Sequence, residues 1–225
     1  MVYVCAGMLR SGSTWLFNSI RLLLKHAELP DFASGAVGQK DTLYQHKNAL
    51  LKIHRFDAEL AAEADVILTS HRDLRDVIAS MNRKFQAELS TADMVRWVKD
   101  YMRWAQVADY DLHYEQLLVD RLAELKKIAA ALQLPPETLK RLPYDAILRE
   151  IEGEKFEKKY SETLPHDSNN LLHAGHATDG RHGSWKGSIP ERFIHEVETI
   201  FDGWLTAKGY LAAPAGTARG SRRPE

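Results

Sequence analysis

Two rhythms of apolar and polar positions run along this chain. Short apolar runs occur at Val2-Tyr3-Val4-Cys5-Ala6, Ala49-Leu50-Leu51-Lys52-Ile53 and Val66-Ile67-Leu68. Nearly continuous runs of this length predict strands buried on both faces of a parallel sheet, here over 2–6, 49–53 and 65–70, with a further strand over 111–114. Between them the period lengthens to three or four. Leu16, Ile20 and Leu23 mark a helix over 14–25, and residues 57–64 form a short alanine-rich one. Leu74, Val77, Ile78, Met81 and Phe85 mark the next. It is followed by one carrying Met94, Trp97, Val98, Tyr101, Trp104, Ala105 and Ala108. Leu118, Leu122, Leu125, Ile128, Ala129 and Leu132 predict another, stopped before Pro135-Pro136. A last helix, with Ile194, Val197, Ile200, Phe201 and Trp204 inward, opens on the capping-box pattern Ser188-Ile189-Pro190-Glu191. Residues 30–40 and 150–187 predict loops, the second long and polar.

Strands alternating with helices predict an α/β fold of three layers, a central, mostly parallel sheet flanked by helices. A length of 225 residues suits a single domain, taken as 1–210. The tail, 211–225, has no apolar period and is expected to be disordered.

The first strand runs into Gly7-Met8-Leu9-Arg10-Ser11-Gly12-Ser13-Thr14 and then into a helix. Strand, glycine loop and helix start form a cradle for a phosphate. Loop amides converge on the anion, and the positive helix end favours it. The spacing nearly matches the nucleoside-triphosphate loop G-x-x-x-x-G-K-[ST], which implies a P-loop NTPase-like topology. Gly7, Gly12 and Thr14 fit, but Ser13 stands at the lysine position and Arg10 is the nearest cation. The loop therefore reads as an anion site lacking the phosphate-bridging lysine of a kinase.

Net charge is −1, so bulk electrostatics give no case for nucleic acid. The single cysteine, Cys5, cannot pair within the chain, which fits a reducing compartment and an expected cytoplasmic location. No apolar stretch reaches the ~18 residues of a membrane span. His173, His176, His182 and Asp179 are metal-capable, but their spacing matches no metal motif, and no metal is expected.

Ligands of an open α/β sheet sit at the carboxyl ends of its strands. This chain places there Arg10 to Thr14, then Lys52 and His54, then Arg72 with Ser80 eight residues on. Three cations, several hydroxyls and a histidine suited to proton transfer call for a multiply anionic ligand.

In these pieces the chain resembles the sulfotransferases that use 3′-phosphoadenosine 5′-phosphosulfate (PAPS). Arg10-Ser11-Gly12-Ser13-Thr14-Trp15 resembles the family's 5′-phosphosulfate loop. Lys52-Ile53-His54 resembles its Lys-Thr-His strand end, and Arg72 with Ser80 its 3′-phosphate motif. Tyr114-Glu115 resembles a later Tyr-Glu pair. Gly180-Arg181-His182-Gly183-Ser184-Trp185-Lys186 resembles the segment that closes over the nucleotide.

The resemblance implies a metal-free transfer of a sulfuryl group from PAPS to a hydroxyl or amine, leaving 3′-phosphoadenosine 5′-phosphate (PAP). His54 would be the general base, with Lys52 and Arg10 stabilising charge. Ser11, Gly12, Ser13 and Thr14 would hold the 5′ end, and Arg72 and Ser80 the 3′-phosphate. Trp15, Tyr114 and Phe156 would lie around the base. Where the family's cytosolic branch has Arg-Lys-Gly, this chain has Thr178, Asp179 and Gly180. Arg181, Gly183 and Lys186 are the residues left for that contact.

The acceptor would be a small molecule or carbohydrate, its pocket walled by 32–48, 85–93 and 157–176, and the protein a monomer or homodimer. Two other readings stay open: a P-loop small-molecule or nucleoside kinase, and a non-catalytic nucleotide-binding protein of the same fold.

Overall fold

The computed structural model describes residues 1–86, 90–157, 166–174 and 180–212. Most of the predicted tail, and His176, Thr178 and Asp179, lie outside the described residues. Five strands form one parallel sheet: β1 (Val2–Gly7), β2 (Phe32–Ala36), β3 (Asn48–Ile53), β4 (Val66–His71) and β5 (Tyr110–His113), in the order β2-β3-β1-β4-β5. β1 is central and pairs Ala6 with Ile53 of β3 and Gly7 with Ser70 of β4. Its carboxyl end is therefore where the strand order reverses, the ligand position of such sheets.

Side chains alternate strictly across this sheet. Tyr3, Cys5, Leu50, Leu68 and Leu112 face a core shared with α1 (Ser13–His26), α7 (Arg121–Ala131) and α9 (Tyr144–Gly153). Val4, Ala6, Leu51, Ile53 and Ile67 face the other side, where Leu60 of α3 (Ala58–Glu63) and Trp104 of α5 (Thr91–Ala105) cover them. A third cluster joins α4 (Leu74–Phe85) and α5 to α10 (Glu191–Ala207). The three layers and parallel sheet are those expected. Among the described residues, no helix is long and apolar enough to cross a membrane.

Several local expectations fail. Residues 30–40 contain β2, which pairs with β3 from Phe32↔Asn48 to Ala36↔Lys52. Its FASGA sequence has little apolar signal because it is an edge strand held by backbone pairing. The short helix α2 (Lys40–Leu43) follows. The helix expected over 118–132 starts later, as α7, because the Asp120 carboxylate caps the Ala123 amide, and a separate short helix, α6 (Tyr114–Leu117), precedes it. Helices α8 (Pro136–Arg141) and α9 were not predicted either. Proline there starts a helix as well as stopping one.

Ser188 does not cap α10. Its hydroxyl turns back to the Ser184 and Trp185 carbonyls, and Pro190 takes the cap position. Phe85, Leu118 and Ile200, expected to face inward, are exposed.

Candidate active site

The glycine loop is built by close approach. A Cβ on Gly7 would lie 2.2 Å from Ser70 Oγ, and one on Gly12 would lie 2.8 Å from Tyr114 Cδ2. Gly12 also has φ +79°, which glycine alone adopts without strain. Ser11 closes the loop from within: its hydroxyl donates to the Met8 carbonyl at 2.6 Å and lies 2.7 Å from Ser70 Oγ. Ser11 thus offers no side chain outward. Gly12 is the N-cap of α1 and brings no side-chain cap. The first amides of α1 are left to an external acceptor.

Period-two alternation puts Lys52 on the same sheet face as Leu50 and Cys5, under the start of α1. There its Nζ donates to Thr14 Oγ1. Lys52 is 9% exposed, and burial, with Arg10 nearby, lowers its pKa to about 8. In a nucleoside-triphosphate loop the hydroxyl at the position of Thr14 binds Mg²⁺. Here it holds an ammonium.

His54 follows the end of β3, half-buried, and its Nδ1–H donates to the Gly7 carbonyl at 2.6 Å. That bond fixes the tautomer and leaves Nε2 as the basic atom. Burial, then Lys52, lowers the His54 pKa to about 4, so the ring is neutral at neutral pH.

Arg72 leaves β4 almost fully buried. Its Nη2 donates to the Arg181 carbonyl at 2.8 Å, and its guanidinium lies 4.2 Å from the centre of the Tyr114 ring. Its Nε is buried with no acceptor among the described residues, as is Trp15 Nε1. Arg10 Nε donates to Ser80 Oγ at 2.9 Å, joining the loop to the Arg72–Ser80 pair. Burial, then Arg72, lowers the Arg10 pKa. Two cations held close, with the Arg72 Nε buried and unsatisfied, call for an anion.

Asp76, fully buried one helical turn after Arg72, organises the segment over this site. It accepts the Gly183 amide at 2.8 Å, the Trp185 amide at 3.1 Å and the Ser184 hydroxyl at 3.0 Å. Arg75 stacks 4.4 Å from the Trp185 ring centre. Tyr114 completes the enclosure, its hydroxyl donating to the Gly180 carbonyl at 2.8 Å. Asp76, Glu115 and His182 bring ligand-capable atoms within 4.8 Å of one another. Both carboxylates are already engaged, Glu115 by the Asp73 amide and the Tyr210 hydroxyl.

No protein-family model matches the chain, and no curated protein sequence matches it. Solved structures match it in shape. Mouse sulfotransferase SULT7A1 complexed with PAP aligns with TM-score 0.57 at 13% identity, over 94% of this chain and 84% of the other. Retinol dehydratase in complex with retinol and PAP aligns with TM-score 0.52 at 16% identity, over 91% and 80%. The fold is the sulfotransferase fold.

Within that fold the structure brings together Arg10, Thr14, Lys52, His54, Arg72, Ser80 and Tyr114. The hydroxyl of Tyr114, expected beside the base, is given to the Gly180 carbonyl. The Gly183 amide is given to Asp76. Arg181 meets Arg72 through its backbone carbonyl, and Lys186 is exposed, 5.7 Å from the Trp185 ring centre. Phe156 is half-buried. Sequence reasoning missed Asp76. A usable signal was present: 72, 76 and 80 lie four apart, on one side of a helix.

Proposed function

We propose that the protein is a PAPS-dependent sulfotransferase, moving a sulfuryl group to a hydroxyl or amine of a small acceptor. The observation that carries this reading is the Lys52 ammonium on Thr14, where a nucleoside-triphosphate loop binds Mg²⁺. The missing loop lysine at Ser13 disfavours the kinase reading. A base placed beside the loop disfavours a mere nucleotide binder. The donors fit the nucleotide: α1 amides and Arg10 for its 5′ end, Arg72 and Ser80 for its 3′-phosphate, and the Trp15 indole for its base.

When bound, the donor supplies a sulfuryl group on a phosphate leaving group. The chain's own residues do the rest. His54 Nε2 takes the acceptor proton, and the Gly7 carbonyl holds the ring in the required tautomer. An anion beside Lys52 offsets the positive charge that depresses the His54 pKa, which makes His54 a stronger base when the site is filled. Lys52 and Arg10 stabilise the charge that gathers around the loop. General-base help is worth ~10²–10⁴ in rate.

The test is a thermal-shift titration with PAP and with Mg-ATP, followed by turnover of PAPS by wild type and His54→Ala. Stabilisation by PAP without added metal is expected, and His54→Ala should bind PAP and lose turnover. Stabilisation by Mg-ATP alone would replace this reading with the kinase. Near wild-type turnover in His54→Ala would remove His54 as the base.

A further inference from the structure

We propose that the acceptor is a small, single-ring hydroxyl compound carrying a negative charge, such as a hydroxylated aromatic acid or a sugar acid. This rests on the reading of His54 as the acceptor-side base. A cavity of about 300 Å³ opens beside His54, away from Arg72 and Ser80, which do not line it. Its volume is at the lower end for ligand pockets, which suits one ring and not a fused polycycle or an oligosaccharide.

The walls specify the chemistry. Met8 and Leu9 give an apolar side, and the half-buried Trp97 of α5 offers a ring face. The charged lining is two guanidinium groups, Arg55 and Arg96, against one carboxylate, Asp100. Asp100 is partly engaged, since its Oδ1 accepts the Phe56 amide at 3.1 Å. Arg55 is exposed and has no ion pair among the described residues. Arg96 pairs with Asp93 at 2.7 Å on the exposed flank of α5, a weak contact that an incoming anion can replace.

The buried Lys52 acts on His54 and adds to the positive field. On the far side of Arg55 a shallow hollow of about 540 Å³ is lined by Asp57 and Glu59. Those carboxylates repel an anion, so the acceptor's charge belongs on the His54 side of Arg55. A guanidinium is suited to bidentate capture of a carboxylate there. With the ring on Trp97 and the charge on Arg55, a ring hydroxyl is left to face His54 Nε2.

The experiment measures binding of matched probes by calorimetry, with the protein first saturated with PAP. The pairs are para-hydroxybenzoate against para-hydroxybenzamide and glucuronate against glucuronamide. At least one acid is expected to bind about tenfold or more tighter than its amide. Arg55→Ala should cut that ratio to about twofold while leaving PAP affinity unchanged, which also shows that the variant is folded. Trp97→Ala should weaken acid and amide alike.

Failure to bind PAP at all would overturn the donor reading, and this inference with it. PAP binding with amides equal to or better than acids, or with neither bound, would overturn this inference alone. So would an acid preference that persists in Arg55→Ala.

Discussion

Lys52→Met should make the protein more stable and less able to work. A buried ammonium is costly. Lowering the Lys52 pKa from 10.5 to about 8 corresponds to about 3 kcal/mol at pH 7. The bond to Thr14 returns about 1 kcal/mol, so replacement by an apolar side chain of similar length should stabilise the fold by about 2 kcal/mol. For a chain of this size that is a rise of ~4–8 °C in Tm.

The sign with pH is fixed. Between about 8 and 10.5 the unfolded chain holds a proton that folded Lys52 releases, so wild-type stability rises with pH across that window. The gap between Lys52→Met and wild type should be widest below pH 8 and close toward pH 10.5. Thermal unfolding at pH 7, 9 and 10.5 measures it, and PAP titration of the same samples should show a smaller ligand shift in the variant. A variant that melts below wild type by a pH-independent margin would show that the ammonium is not a stability cost, and the reasoning would be wrong.

Gly12→Ala should cost at least about 1–2 kcal/mol in chemical denaturation, from its left-handed backbone and the collision with Tyr114, and should weaken PAP binding. Asp76→Asn puts an NH₂ group against backbone amides. It should cost about 1–3 kcal/mol and speed hydrogen exchange at 183–185, while exchange in β1 stays slow. His54 gives a second pH signature. Folded His54 protonates near pH 4 and an unfolded histidine near 6.5, so protons favour the unfolded chain between them. Wild-type stability should fall as pH drops through that window, and His54→Gln should fall less when both are followed by urea unfolding.

The parallel sheet was legible because its inner strands are apolar runs bounded by polar turns. The loop was legible because glycine spacing is a backbone requirement written directly in residue identity. Strand β2 was not, since FASGA owes its state to the neighbour it pairs with. The meeting of Lys52 and Thr14 was half legible. Strand alternation gives the side of the sheet on which Lys52 emerges, but not the helix start waiting there. Tyr114 was placed near the ligand by its motif, yet its packing on Gly12 and Arg72 is a contact between three distant segments. The cavity beside His54 was not legible. Trp97 packs on the core of α4, α5 and α10 as its period suggests, and only the fold brings α5 and Arg55 beside His54.

The sheet's central strand is also an early one in synthesis. β1 is made before either of its neighbours, and both of its edges stay unpaired until β3 and β4 emerge. At ribosomal speed the wait for residues 48–71 is on the order of several seconds, during which an apolar β-prone segment stands open on two sides. The anion loop attached to β1 cannot set until β3 brings Lys52 and β4 brings Ser70. Nascent-chain quality and site assembly are therefore governed by the same event, the closing of the sheet around β1. Slower translation after residue 7 should lengthen the aggregation-prone interval, and slower translation once β4 has left the ribosome should leave it unchanged.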